Sequence, residues 1–380
     1  MRVPRKKPAE IEDKTPKPRQ SKSKASGNKL VGISVLLSSI TIGLYYACTI
    51  RPENYWLAGF SGFLIPPAIF SQVFLAAFWL WKKPINALIP GLSLVLGLRF
   101  IQASLGWHLI ITEKCGDLKV LSLNAKAFGA MEHKENRDEN LCIHMVENLK
   151  NSGADIICIQ EMFDFPGRKP FNIVRSLKKA GYKHVFYSIA EKQWGSSVGM
   201  AILSRFPIDS KEIIRKKKGS NNQIIMARIR IGKEKLSIIN MHLQSVAIKK
   251  DELEAPEEND KWLDRGFTLG RKLKRGFQAR AIQIDELLKA ADSEGNRVII
   301  CGDMNDTPYS NAYLRIRDSY RNSFEDKGRG LGFTFNGGIP FLRIDNQFYG
   351  KGFKVNRFTT NENFIGSDHY ATEACYSFSD

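Results

Sequence analysis

Leu30–Ile50 is a run of 21 residues without one charged side chain. The hydrocarbon core of a bilayer is about 30 Å thick, and about 20 apolar residues cross it as a helix. In lipid such a segment must satisfy its own backbone hydrogen bonds, which a helix does. The run is longer than a signal-peptide core and lacks a small-x-small cleavage site, so it reads as a retained anchor. After the polar break Arg51–Asn54, Tyr55–Trp81 is again uncharged, with Tyr55, Trp56, Trp79 and Trp81 at its ends, where an aromatic belt sits. Pro66-Pro67 predicts a kink there. Lys82-Lys83 closes the stretch, and apolar sequence resumes at Pro84. With Arg99 snorkelling or facing the bundle, a third span reaches about Leu109. The reading is three transmembrane helices, at about 30–50, 55–81 and 84–109, with an interfacial or re-entrant third segment as the alternative.

Charge orients these spans. The chain carries +18 overall, and residues 1–29 hold ten Lys/Arg against three acids, with four prolines and few apolar residues. Such a tail cannot bury a core and is expected to be disordered. The basic tail and Lys82-Lys83 belong in the cytoplasm by the positive-inside rule. Three spans then put everything beyond about residue 110 on the outer, periplasmic or extracellular, side of an inner or plasma membrane. An interfacial third segment would leave that part cytoplasmic. The six cysteines form no CxxC pair, which argues against a structural zinc site, and they leave the redox compartment open.

From Gly116 the pattern becomes that of an α/β chain. Strands are predicted at Leu118–Asn124, Ala154–Gln160 with Glu161 at its exit, Val185–Ser188, Gly199–Ser204, and Asn222–Ile231 with Lys235–Met241 as a hairpin. Later strands fall near Phe333–Asn336, Ile344–Phe348, Phe353–Arg357 and Tyr370–Phe378. Helical spacing marks Asn140–Lys150, Asn172–Lys179 and Gln278–Ala291. Lys249–Gly276 is dense in charge and reads as an exposed insertion.

One stretch, Val298–Pro308, carries the chemistry most openly. Val298–Cys301 is an apolar, largely β-branched run, as in a buried strand. Gly302 lets the chain break or pass close to something at its end, and Asp303, Asn305 and Asp306 follow before Pro308 stops the strand. Acids at the mouth of a buried strand suit a hard cation or a phosphate, although Asx residues also simply make turns. The same regularity recurs. Asn124, Glu161, His242, Asp303 with Asn305, Asp345, and Asp368 with His369 all stand at strand boundaries of one domain.

Seven blocks carry a resemblance: Leu121–Asn124, Ile159–Glu161, Gly199–Arg205, Asn240–Leu243, Gly302–Pro308, Arg343–Asp345 and Ser367–His369. On them, residues 116–380 resemble the endonuclease/exonuclease/phosphatase superfamily, the fold of pancreatic deoxyribonuclease. The Gly-Asp-x-Asn and Ser-Asp-His blocks are the specific ones. The resemblance implies an α/β fold: a four-layer sandwich of two mixed β-sheets flanked by helices, here preceded by the transmembrane region.

It also implies hydrolysis of a phosphate ester with Mg²⁺ or Mn²⁺. Glu161 matches the principal metal ligand, with Asn124 beside it and Asp368 as a further metal-side carboxylate. Asp303 matches the residue that positions or deprotonates the attacking water. Asn305 and His242 would hold non-bridging oxygens, and His369, oriented by Asp345, is the second acid–base group. Asp306 has no assigned role beyond the turn. The substrate is left open among a lipid headgroup, a small phosphodiester or monoester, and nucleic acid. Basic segments such as Lys216–Lys218 and Arg271–Arg275 suit anionic lipid and nucleic acid alike. The alternatives are a membrane-tethered nuclease and a non-catalytic phosphate-binding scaffold. Oligomeric state is not readable.

Overall fold

The computed structural model describes residues 21–108, 114–130, 138–217, 219–246, 262–338 and 341–379. Most of the expected tail, residues 1–20, lies outside them, as does 247–261 of the expected insertion.

The apolar region forms a helical hairpin. α1 (Ser21–Ala47) and α2 (Ser61–Lys82) are joined through a 3-10 turn at Trp56–Phe60. α1 starts before Leu30, so the tail read as disordered through residue 29 is helical from Ser21. Two polar clasps fix the pair. Ser38 Oγ donates to Gln72 Oε1 (2.8 Å) while Gln72 Nε2 donates to Thr41 Oγ1 (3.0 Å), and Trp79 Nε1 donates to Ser34 Oγ (2.8 Å). Polar side chains meeting between apolar helices hold membrane pairs together. Large apolar side chains such as Leu36, Phe70 and Phe74 point away from the hairpin and are exposed. α2 runs through Pro66 and Pro67. Lacking N–H groups, these prolines leave the carbonyls of Gly62 and Phe63 without their usual i→i+4 partners.

The third apolar stretch is not the single helix expected over 84–109. It is broken into Pro84–Leu96, whose helical part is α3 (Leu88–Leu96), and α4 (Leu98–Ser104), bent by 68° at Gly97. Two helices are long and apolar enough to cross a membrane, three if the bent pair counts as one span. The break has a cause. Gly97 is jammed against Tyr45, where a Cβ would lie 2.3 Å from its Oη. Beyond it, Arg99 pairs with Asp318 (2.9 Å) instead of snorkelling. The third stretch therefore returns to the level at which α1 ends, then turns along the α/β domain.

β1 (Gly106–Trp107) leads into that domain. There follow β2 (Leu118–Asn124), α5 (Glu139–Asn151), β3 (Ile156–Asp164), α6 (Ile173–Lys179), β4 (His184–Gln193), β5 (Ser196–Ser204), β6 (Ile208–Lys216), β7 (Gln223–Ile231) and β8 (Glu234–His242). The chain continues with α7 (Trp262–Asp292), β9 (Val298–Asp303), α8 (Asn311–Ser319), β10 (Arg321–Asn322), α9 (Ser323–Lys327), β11 (Arg329–Gly330), β12 (Asp345–Tyr349), β13 (Phe353–Asn361) and β14 (Ala371–Phe378). Among the described residues there are two six-stranded sheets, β13-β14-β2-β3-β5-β4 and β10-β12-β9-β8-β7-β6. Both are mixed. β2 and β3 run parallel, as do β8 and β9, and the other neighbours are antiparallel.

The sheets pack face to face through Val120, Ile156 and Ile202 on one and Ile225, Ile238 and Ile299 on the other. α5 and α6 cover the first sheet, and α7 and α8 the second. Strands covered on both faces need apolar side chains in both directions, which is why Ile156–Ile159 and Val298–Cys301 read as unbroken runs. Each fully buried Ile or Val among them contributes about 1.5–3 kcal/mol. Buried Gln160 and Asn240 bridge the sheets, Gln160 Nε2 donating to Asn240 Oδ1 at 2.5 Å. β6 escaped the sequence reading because it is an edge strand dense in charge, without a clean apolar alternation. Lys249–Gly276 is corrected in part, since helix α7 already begins at Trp262. Phe333–Asn336 is no strand and only Phe335 makes isolated bridges, to Leu342 and His369.

The hairpin is built into this domain. Ile65, Phe100 and Ala103 share a core with Met304, Tyr313 and Phe348. Asn311 Nδ2 donates to Thr49 O (3.0 Å), Arg51 pairs with Asp285 (2.5 Å), and Arg343 donates to the carbonyl of Ala103.

Candidate active site

Strand register assembles the site. Across β12, β9 and β8, Asp345 lies opposite Asp303, and Asp303 opposite His242. Three polar residues thus share one row at the mouth of the second sheet. In the first sheet the parallel pair aligns Asn124 with Gln160, and Glu161 comes next. Ligand crevices form outside the carboxyl ends of such strands.

Two backbone irregularities aim the side chains. Glu161 is not at a strand exit, as the sequence suggests, but inside β3. It has φ +49°, where pairing with β5 slips between Ile159 and Met162. A bulge of this kind re-aims one side chain without ending the strand, and a non-glycine residue held left-handed is a feature of functional sites. Gly302, at φ +131°, passes so close to β8 that a Cβ would stand 2.0 Å from Met241 O. Of the two outcomes its sequence position allows, a break or a close approach, this is the second.

Asp303 is buried and held from three sides. Its Oδ1 accepts the Asn305 backbone N–H (2.7 Å), and its Oδ2 accepts from Asn124 Nδ2 (3.0 Å) and Asn305 Nδ2 (3.2 Å). The second hydrogen of Asn305 Nδ2 goes to Leu243 O (3.0 Å). An amide nitrogen has only two hydrogens, so Asn305 has no donor left for a phosphate oxygen. Here the side chain holds Asp303, and the phosphate contact expected of it would require one of these bonds to be exchanged. Asn124 Oδ1 meanwhile accepts the Lys126 N–H (3.2 Å).

His369 is buried against two acids. Its Nδ1–H donates to Asp345 Oδ2 (2.8 Å), and its Nε2 lies 3.9 Å from Asp303 Oδ2. Burial lowers the imidazole pKa, but the carboxylates of Asp345 and Asp303 outweigh it and push it up to about 10. Burial raises the Asp345 carboxyl, against the pull of His369. Phe335 packs edge-on against the ring, 5.0 Å between centroids. The Ser-Asp-His loop is tied back to β2, since Ser367 Oγ donates to Asn124 O (2.6 Å). His242 stands between Asp303 (3.5 Å) and Glu161 (3.9 Å), with its Nδ1 buried and without a hydrogen bond.

All eight residues singled out in the sequence fall together. Asn124, Glu161, His242, Asp303, Asn305, Asp368 and His369 line one cavity of about 460 Å³, and Asp345 backs it behind His369. Three further participants carried no recognisable signal. Lys126 reaches Asp368 (3.7 Å) from a turn in which Lys126, Ala127 and Phe128 are all left-handed. Arg280, in α7, forms a buried ion pair with Asp306 (2.7 Å), so Asp306 does more than shape a turn. Phe63 of α2 lines the cavity as well.

Among the described residues, one group of acids and histidine has ligand atoms within 4.8 Å of one another: Asp303, Asp345 and His369. In this trio Asp345 engages His369 Nδ1, while Asp303 and His369 both line the cavity. Glu161 offers a partly exposed carboxylate facing the cavity, 3.9 Å from His242 Nε2. Glu161, Asn124 and Asp368 line the same cavity and offer hard oxygens of the kind that Mg²⁺ and Mn²⁺ take.

A family model described as the Endonuclease/Exonuclease/phosphatase family matches residues 140–369, and a domain of unknown function matches 28–104. Among solved structures, the human nocturnin catalytic domain with bound sulfate superposes with a TM-score of 0.50 and 16% identity, covering 70% of this chain and 97% of its own. An endonuclease/exonuclease/phosphatase from Beutenbergia cavernae gives 0.48 and 18%, covering 69% of this chain and 72% of its own. Truncated Caenorhabditis elegans TDP2 gives 0.47 and 18%, covering 69% and 98%. Comparison with curated proteins yields no match.

Proposed function

We propose, from the premise that this chain belongs to the endonuclease/exonuclease/phosphatase family, that it is a membrane-anchored, Mg²⁺- or Mn²⁺-dependent phosphoric ester hydrolase. Residues 116–380 are its catalytic domain, 30–110 its anchor and 1–29 a basic tail. The observation that carries this reading is the row Asp345–Asp303–His242 facing Glu161 and Asn124 across one cavity.

Glu161, Asn124 and Asp368 would hold the cation, which when bound neutralises charge on the phosphate and its leaving oxygen. Asp303, fixed by three N–H donors, accepts a proton from a water whose oxygen forms a new bond to phosphorus. The ester P–O bond breaks in line with that attack, and the departing alkoxide takes a proton from solvent. His369 Nε2 is on the same side of the cavity as Asp303. In-line displacement puts the leaving oxygen on the opposite side, so His369 acts as a cation on the phosphoryl oxygens. Asp345 keeps that imidazole charged and oriented. His242 lies between the water side and the metal side, and Asn305 locks Asp303.

The catalytic domain is proposed to lie outside, opposite the basic tail. Arg51 and Thr49, where α1 ends, touch the catalytic domain, while Lys82-Lys83 closes the far end of α2. The third stretch returns to Tyr45. A disulfide joins Cys115 to Cys375, a bond that persists in oxidising compartments.

The test is turnover of bis-(p-nitrophenyl) phosphate, p-nitrophenyl phosphate and plasmid DNA by the full chain in detergent, with Mg²⁺, Mn²⁺ or EDTA. Metal-dependent hydrolysis lost in Asp303→Asn supports the reading. Phosphate binding without turnover under any of these conditions would leave a non-catalytic scaffold. Turnover confined to nucleic acid would make it a tethered nuclease.

A further inference from the structure

The first turn of α2 forms part of the active-site wall. Phe63 lines the same cavity as Glu161, Asp303 and His369, although it belongs to a helix apolar enough to cross a membrane. Its neighbour Gly62 lies against the loop after Asp303, where a Cβ would stand 3.1 Å from Thr307 Oγ1 and 3.5 Å from Ser310 N. A helix rises 1.5 Å per residue, so Phe63 sits within about 5 Å of the end of α2. In a bilayer spanned by α2, that is the level of the lipid headgroups.

α7 supplies the opposite lip. Its Leu273 lines the cavity, and Phe277 packs against Phe60 (5.3 Å) and Phe63 (6.3 Å) of the anchor. Gly59 is pressed onto Phe277, so α7 cannot move away from the anchor without opening that contact. Lys274 stands over the Trp56 ring (5.5 Å). The first half of α7, Trp262–Gly276, carries Arg265, Arg271, Lys272, Lys274 and Arg275 against Asp264 alone, and Phe267 there is 68% exposed. Basic residues around an exposed aromatic, on a helix beside a membrane span, attract anionic lipid surfaces.

We propose that the substrate is an anionic membrane phospholipid, which enters the cavity sideways from the leaflet between Phe63 and Leu273. This rests on the hydrolase reading above and names its substrate class. The headgroup phosphate goes to Asp303 and His369, the glycerol end stays between Phe63 and Leu273, and the acyl chains remain in the bilayer. Water adds to phosphorus and a phosphate-ester bond of the lipid breaks, as for any ester at this site. A water-soluble ester gains nothing from the apolar lip, so Phe63 sets specificity.

The experiment compares two substrates in one preparation: the full chain in phosphatidylcholine vesicles containing phosphatidylglycerol or phosphatidic acid, against bis-(p-nitrophenyl) phosphate added to the same vesicles. The wild-type chain is expected to hydrolyse one of the anionic lipids. Phe63→Ala is expected to lower the ratio of lipid to soluble-ester turnover at least ten-fold. Leu273→Ser, outside the anchor, should lower it in the same way should Phe63→Ala fail to fold. Phe74→Ala, on the exposed face of α2 away from the cavity, should leave the ratio as it is. Turnover of the soluble ester without turnover of lipid overturns the lipid proposal and leaves the hydrolase standing. So does an equal effect of Phe63→Ala on both substrates. No turnover of any substrate overturns the hydrolase reading itself, and this inference with it.

Discussion

His369 Nδ1 lies 2.8 Å from Asp345 Oδ2, and both side chains are buried. Neither residue is near the other in sequence. Asp345 opens β12, and His369 sits in the loop before β14. The pair is where one strand of the second sheet meets a loop leading into the first.

That contact has a pH signature. An unfolded histidine titrates near 6.5, whereas His369 is held up to about 10 by Asp345 and Asp303. A raised folded-state value stabilises the charged form. Its contribution is complete below about pH 6.5 and is lost as pH rises through about 10. We expect the melting temperature of EDTA-treated protein to fall across that window. Asp345→Asn should shrink the fall and move the histidine titration, followed by NMR, to lower pH. A wild-type histidine that titrates below 6.5 would contradict the assignment.

Glu161 is the proposed principal metal ligand. Glu161→Gln keeps the shape of the side chain but removes its charge. It should weaken Mn²⁺ binding by at least about 100-fold, the upper end of what supporting residues around metals achieve. Calorimetry on the full chain reads this without any substrate. Unchanged Mn²⁺ affinity would move the metal to the cluster of Asp303, Asp345 and His369.

The Arg280–Asp306 pair should matter for stability. Arg280 Nε meets Asp306 Oδ2 at 2.7 Å, with both residues buried. Burial pushes the Asp306 carboxyl up, and Arg280 pulls it back. Removing one partner of such a pair costs about 3–5 kcal/mol. Arg280→Met should therefore lower the melting temperature clearly, and adding Asp306→Asn should recover part of the loss. A double variant no more stable than Arg280→Met would show that Arg280 acts through its bond to Gln244 O (2.8 Å) instead.

The disulfide offers a test of sidedness. Cys115 and Cys375 should resist alkylation until the protein is reduced, when both become labelled. Lys82-Lys83 and the tail should react with amine reagents only after the cytoplasmic face is opened. Free thiols at both positions in protein isolated under alkylating conditions would place the catalytic domain in a reducing compartment.

Much of this protein was legible in its residues. The apolar runs from Leu30 to Trp81 dictate helices long enough for a bilayer, because uncharged stretches of that length have no other way to satisfy their backbones in lipid. Buried strands announce themselves as runs such as Ile156–Ile159, and polar residues at their boundaries, before or after, mark the end of each sheet where the candidate site lies. Hence Asn124, Glu161, His242, Asp303, Asp345, Asp368 and His369 could be listed in advance. Local sequence could not say what each atom touches. Asn305 has the composition of a phosphate ligand, yet both its amide hydrogens are taken by Asp303 and Leu243. Glu161 looked like a strand exit, but a left-handed bulge keeps it inside β3. The third apolar stretch was long enough for a span, but packing of Gly97 on Tyr45 and pairing of Arg99 with Asp318 bend it. Phe63 is one apolar residue among many in α2. Its place in the active-site wall depends on contacts over more than two hundred residues of sequence, which periodicity does not encode. The sequence by itself determined which elements form and which ends carry the chemistry, since hydrophobic pattern and strand length are local. The tertiary structure alone decided which polar groups pair with which, and that the apolar helix α2 lines one side of the cavity.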